Sequence, residues 1–203
     1  MKLRRMTPLI HRCTSLLVGT ALALAVGSAL SVTLDISGVK VEDTLTIYNN
    51  KLVLNGAGVV FSGKAPQYVA HIYAKSKFKS LDTLIASPGP KRLVLTAIKE
   101  VDTAPIVKMF NRSVEATASR TDMAKLIPGL VNIGNIFKAN TVLKSGEIMT
   151  VDWIPITGMV IYVGTKMQGN PMREPEFFRA AMAVWMGDSP ADAQARAALL
   201  GQI

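Results

Sequence analysis

Hydrophobic and polar residues alternate along the first third of the chain, which is the pattern of half-buried β-strands. Val32, Leu34 and Ile36 share one face of the first such run. Further runs of the same type, rich in β-branched and aromatic residues, cover residues 39–41, 45–48, 52–54, 59–61 and 67–73. We therefore predict that the chain opens as an antiparallel meander.

Small residues interrupt this meander at Asn55-Gly56-Ala57-Gly58. A β-branched run follows directly, so the glycines do not lead into a helix as a phosphate-binding loop requires. We predict a tight bend or bulge here, at a place where two backbones pack closely.

A short helix and a strand are predicted next. Ser80 precedes residues 81–86 in the position of a helix N-cap. Residues 92–98 are apolar on both faces apart from Thr96, which is typical of a central strand.

Helical spacing of hydrophobic residues begins after Pro105. One buried stripe of a helix is predicted from Ile106, Met109, Phe110 and Val114. Pro128-Gly129 is expected to break this helical tract, and a second helix is predicted over residues 130–137.

The last part of the chain predicts a hairpin followed by two helices. Residues 147–154 and 159–163 alternate as two strands joined by a turn. Phe178, Met182 and Trp185 fall on one face of a helix that starts near Pro175 and ends at Gly187. Residues 189–192 read Ser-Pro-Ala-Asp and predict a capping box for a last helix.

Together these elements predict an α+β fold in which helices pack on one face of an antiparallel β-sheet. The chain has 203 residues, which suits one domain with a sizeable core.

The first 28 residues have the composition of an export signal. They carry four basic residues and no acidic residue, and residues 13–30 form an uncharged, mostly apolar run that closes with small residues. We predict a signal peptide at residues 1–28, a single domain at residues 29–203, and a periplasmic or secreted location. The alternative is that the segment stays uncleaved and anchors the protein in the membrane.

Charge and composition exclude several classes of function. Without residues 1–28, 19 basic and 14 acidic residues remain, and they are not clustered, so no nucleic-acid partner is expected. The same part of the chain has no cysteine and one histidine, His71. We expect no metal site and no cofactor, and no catalytic residue is evident.

At several motifs the chain resembles bacterial chalcone isomerase-like proteins. The resemblance rests on five segments that together extend over roughly residues 39–200: Leu52 with Asn55-Gly56-Ala57-Gly58, residues 68–73 (YVAHIY), residues 91–95 (KRLVL), residues 176–180 (EFFRA) and residues 184–190 (VWMGDSP). It implies an open-faced antiparallel β-sheet that carries a layer of helices on one face, with a ligand cleft between the two layers.

The resemblance also implies where a ligand would bind. The flavonoid-pathway isomerases of this superfamily use an arginine two residues after Gly-Ala-Gly, and relatives that bind fatty acids use it on the carboxylate; this chain has Val60 there. Ile106 and Ser113 correspond to a tyrosine and an asparagine of the isomerases, and Tyr68 lies near the position of a threonine. Arg112, with Tyr68 and Tyr73, is the candidate replacement for the missing polar groups.

Three functions remain open at this point. The first is a non-catalytic exported protein whose apolar cleft binds a fatty acid or similar small amphiphile. The second is an intramolecular lyase (isomerase) that acts on a chalcone-like or other small phenolic substrate. The third is a periplasmic protein-interaction module. The absence of an arginine at Val60 favours the first and the third.

Overall fold

The computed structural model describes residues 32–117 and 120–203, so the predicted signal peptide lies outside the described residues. The strands are β1 (Thr33–Ile36), β2 (Val39–Glu42), β3 (Thr44–Ile47), β4 (Asn50–Ser62), β5 (Ala65–Ala74), β6 (Lys91–Ala97), β7 (Val101–Asp102), β8 (Val142–Leu143), β9 (Ile148–Ile154), β10 (Gly158–Val163) and β11 (Lys166–Met172). The helices are α1 (Leu81–Ala86), α2 (Ala104–Thr117), α3 (Arg120–Ala139), α4 (Pro175–Met186) and α5 (Ala193–Leu199).

Seven strands form one antiparallel sheet in the order β11-β10-β9-β6-β5-β4-β3. Strand β6 lies in the middle, as the two apolar faces of this segment predict. Two small pairs, β1 with β2 and β7 with β8, stand beside the main sheet.

The two faces of the sheet bury two separate clusters. Leu93 and Leu95 on β6 face the larger cluster, which also contains the buried faces of the helices. Val94 faces the smaller cluster, together with Val69 and Tyr73 of β5 and residues of β1 to β4. The predicted α+β fold, with helices on one face of an antiparallel sheet, is confirmed.

The sheet curls strongly, because residues far apart in strand order meet on the face without helices. Tyr48 directly follows β3, and its hydroxyl donates a hydrogen bond to Asp152 Oδ2 on β9 over 2.9 Å. Strands β3 and β9 are separated by three other strands, which is about 19 Å in a flat sheet. A tyrosine side chain does not span that distance, so the face away from the helices is concave.

The predicted bend at Gly56 and Gly58 is wrong, whereas the bulge and the close backbone packing are confirmed. Strand β4 continues through both glycines, with a register shift between Leu54 and Gly56. A Cβ on Gly56 would lie 1.8 Å from the carbonyl oxygen of Ala198 in α5. The glycines are therefore required because helix α5 lies directly on this strand.

The predicted break at Pro128-Gly129 is also wrong, since α3 continues through both residues. Pro128 is exposed, so the missing N–H does not leave a buried carbonyl without water. Gly129 gives room to the ring of Phe177 on α4, whose Cζ would lie 2.2 Å from an added Cβ. Tertiary packing between α3 and α4 outweighs the local helix propensity here.

The N-cap of the last helix is Asp192 rather than Ser189. The Asp192 carboxylate accepts a hydrogen bond from the backbone N–H of Ala195 over 2.9 Å, and α5 begins at Ala193. The capping box predicted over residues 189–192 therefore lies three residues too early.

Candidate functional site

The space between the sheet and the helices is where the family resemblance implies a ligand. Val60 and Tyr68 are cross-strand partners on β4 and β5, and both face the helices. Val60 is only 3% exposed and has no polar group to offer a ligand. At this position, therefore, the interior is apolar.

The hydroxyl group of Tyr68 is already hydrogen-bonded within the protein. It accepts a hydrogen bond from the indole Nε1 of Trp185 on α4 over 2.9 Å, and both groups are buried. Burial raises the pKa of Tyr68 to about 12, so the phenol stays neutral at physiological pH. Helix α4 is thereby fixed to the sheet by a polar contact inside an apolar layer.

A small apolar void lies next to this pair, between the sheet and helices α2, α3 and α4. Its volume is about 20 Å³. Every residue of its wall is hydrophobic: Ile106, Phe110, Ile133, Phe137, Met149, Val151, Met159, Ile161, Ala181, Val184 and Trp185. Such a volume holds about one water molecule, so a larger guest enters only when side chains move apart.

Arg112 and Ser113 lie outside this interior, on the outer side of α2. Both line a cavity of about 610 Å³ between α1, α2 and the end of α4. Arg179 and Arg196 also line it; Arg179 Nη1 is 2.7 Å from Asp82 Oδ1, and Arg196 Nε donates to the carbonyl of Gly187. Arg112 is exposed, so it does not replace the missing arginine of the interior.

Tyr73 lies on the concave face of the sheet, away from all the other candidate residues. Its hydroxyl donates a hydrogen bond to the carbonyl of Glu42 over 2.9 Å and lies 3.0 Å from Nδ1 of His71. Because the tyrosine proton goes to Glu42, Nδ1 of His71 carries a proton and donates to the tyrosine oxygen. His71 and Tyr73 share a strand face, as predicted, and connect β5 to β2.

The concave face also carries a charged pair that the sequence analysis did not single out. Arg92 binds Asp152 in a bidentate manner, with Nε to Oδ1 at 2.7 Å and Nη2 to Oδ2 at 2.6 Å. Tyr48 donates to the same carboxylate, and its hydroxyl lies 3.2 Å from that of Tyr162. The available signal was Asp152 itself, the one charged residue inside a mostly hydrophobic strand.

The pKa values of Arg92 and Tyr48 in this cluster are both raised. Burial alone would lower the pKa of Arg92, but the hydrogen bond and the charge of Asp152 outweigh it and the net shift is upward. Burial, followed by the contacts to Tyr162 and Asp152, raises the pKa of Tyr48. Every polar group of the cluster thus has a partner within the protein, and the cluster serves to hold the curled sheet together.

Within residues 32–117 and 120–203, no group of three or more His, Cys, Asp or Glu residues is placed to hold a metal ion. No helix of these two segments has both the length and the apolar character needed to cross a membrane.

The chain belongs to the chalcone isomerase-like family, whose sequence pattern matches residues 33–201. Among solved structures, its fold is similar to that of a fatty-acid binding protein of Arabidopsis thaliana, with a TM-score of 0.63 and 13% sequence identity. The superposition covers 85% of this chain and 97% of the plant protein. No curated protein sequence matches the chain significantly. At this level of identity the structural likeness establishes the fold.

Of the six candidate residues, the structure brings Val60, Tyr68 and Ile106 to the same layer, and only Ile106 lines the void. Arg112 and Ser113 share the outer cavity, and Tyr73 is on the opposite face of the sheet. Ten of the eleven wall residues of the void were not singled out as site residues, among them Phe137, Met149, Met159 and Trp185.

Proposed function

We propose that the chain is an exported, non-catalytic protein that binds a fatty acid or a similar small amphiphile between its sheet and its helices. The observation that carries the proposal is the void beside Trp185, because its wall is entirely hydrophobic. An aliphatic tail is the chemistry that such a wall accepts without leaving a polar group unpaired.

The void expands through the side chains that line it. Met149 and Met159 form part of its floor, and methionine adapts to irregular spaces because its side chain is flexible and unbranched. A tail that enters replaces contacts between these side chains with contacts to itself. The likeness in fold to a protein described as fatty-acid binding supports the same function.

Two features argue against an isomerase. Val60 offers no charge or donor to a developing phenolate, and the Tyr68 hydroxyl is engaged by Trp185. Export is proposed from the composition of residues 1–28 alone.

Native mass spectrometry of the protein purified from the host envelope tests the proposal, followed by organic extraction of the bound mass. We expect a discrete adduct that is released as a fatty acid or similar amphiphile, and we expect delipidated protein to rebind oleate. A protein that carries no adduct and does not bind oleate in titration would contradict the proposal.

The variant Ala181→Leu tests whether the tail occupies the void, since Ala181 is part of the wall and a larger side chain fills the void. Overpacking costs about 1–3 kcal/mol of stability, so thermal unfolding is recorded in parallel. A folded Ala181→Leu protein is expected to bind oleate more weakly than the wild type. Equal binding would place the tail elsewhere.

A further inference from the structure

An open groove that shares a wall residue with the void lies between helices α2 and α3. Its volume is about 600 Å³. The residues that matter for its chemistry are Val107, Lys108 and Arg112 on α2 and Gly134, Phe137 and Lys138 on α3. We call it the α2–α3 groove.

Phe137 lines both the α2–α3 groove and the apolar void. Its ring is therefore a shared wall between an exposed groove and an apolar interior. Phe137 is half-buried, so one side of the residue already faces solvent.

The charges around the groove favour an acidic ligand. Lys108, Arg112 and Lys138 supply three positive charges, against two negative charges from Asp102 and Glu115. Lys108 and Lys138 are exposed and lie on opposite walls. A carboxylate at the mouth of the groove would be attracted from both sides.

Gly134 keeps the groove open. It lies one turn before Phe137 on α3, and a Cβ at this position would meet no atom within 4 Å. A side chain added at Gly134 therefore starts in open space at the wall of the groove.

We infer that an acidic single-chain amphiphile enters between α2 and α3, with its head group at Lys108, Arg112 and Lys138 and its tail passing Phe137 into the interior. This inference rests on the proposed function and names the entry route and the head-group site. It assigns the head group to the surface of the helical layer, because the interior position of Val60 has no charge.

Blocking the groove tests the route. Gly134→Trp and the control Asn135→Trp each place an indole on α3, but Asn135 is exposed and does not line the groove. We expect Gly134→Trp to weaken oleate binding by about tenfold or to slow its association by that factor, and Asn135→Trp to bind as the wild type does. If the wild type binds oleate and Gly134→Trp binds it equally well and equally fast, the route is wrong although the proposed function stands. Failure of the wild type to bind would instead reject the proposed function.

Comparing oleate with oleyl alcohol tests the head-group site. Each exposed charge contributes a modest factor to binding, so Lys108→Gln combined with Lys138→Gln is expected to weaken oleate binding by about twofold to thirtyfold. The same double variant should bind oleyl alcohol unchanged, and added salt should reduce the difference between the two ligands. An equal loss for both ligands would contradict a charge contact at the head group.

Discussion

Tyr68 and Val60 show how two neighbouring residues determine what the interior can do. The Tyr68 hydroxyl is bound to Trp185, and Val60 beside it has no polar group. A polar substrate in this layer would leave its own groups unpaired, which costs about 1–3 kcal/mol for each group. An alkyl chain carries no such cost.

His71 gives the protein a pH dependence of stability. Burial lowers the pKa of His71 from 6.5 to about 4. The unfolded chain therefore binds a proton between these two values while the folded protein does not. The contribution of neutral His71 to the free energy of unfolding is fully present above about pH 6.5. It is lost as the pH is lowered toward 4, by about 3 kcal/mol in total.

The variant His71→Asn isolates this contribution, since the asparagine amide can still donate a hydrogen bond to Tyr73 but does not titrate. We expect urea unfolding of the wild type to depend more steeply on pH between 6.5 and 4 than that of the variant. Parallel curves for the two proteins would show that His71 does not carry the effect.

Helix α5 packs directly against strand β4 at Gly56. We predict that Gly56→Ala lowers the free energy of unfolding by more than about 2 kcal/mol, because the new methyl group meets the backbone oxygen of Ala198 and the helix must move. Chemical denaturation measures the change.

Gly134→Ala is the matched control, because it makes the same substitution where there is open space. Replacing a helical glycine with alanine stabilises by about 0.5–1 kcal/mol. We expect the two variants to shift stability in opposite directions. Destabilisation by both would mean that the close approach at Gly56 is not the cause.

Elements with strong local signals could be predicted from the sequence, and those fixed by distant contacts could not. Ser80 and the apolar spacing of α1 predicted its bounds correctly, because the cap acts on its own first turn. The continuity of α3 through Pro128 depends on Phe177, which is remote in sequence. Strand β11 was missed because Gly169, Asn170 and Pro171 weaken its pattern; Asn132 of α3 holds its edge with hydrogen bonds to Asn170.

The candidate site residues show the same difference between local signals and contacts that are distant in sequence. Ile106 became a candidate through the family resemblance; its burial, which helical spacing predicts, is confirmed, and it lines the void. Tyr73 was proposed together with Tyr68 because both lie on the same predicted strand. The odd spacing between the two tyrosines, however, puts them on opposite faces of the sheet. Phe137 could not be selected in advance, since its role depends on how α2 and α3 lie over the sheet.

The Tyr48 hydroxyl links the two ends of the curled sheet, because it connects the end of β3 to Asp152 on β9. We predict that Tyr48→Phe lowers the free energy of unfolding by about 1–2 kcal/mol, as expected for a lost hydrogen bond to a carboxylate. Amide exchange in β3 should become faster, because this edge strand loses its contact with β9.

Tyr162→Phe is the control, since the Tyr162 hydroxyl contacts that of Tyr48 and lies on β10 rather than on the edge strand. We expect a smaller loss of stability and unchanged exchange in β3. Identical effects of the two variants would mean that the contact between Tyr48 and Asp152 does not hold the edge.

The packing of α5 on β4 has a consequence for the order of folding. Asn55 donates a buried hydrogen bond to the carbonyl of Leu199, 144 residues further along the chain. Contacts of such high sequence separation form late, because a long loop must close first. During synthesis, the glycine face of β4 therefore stays uncovered until α5 has been made.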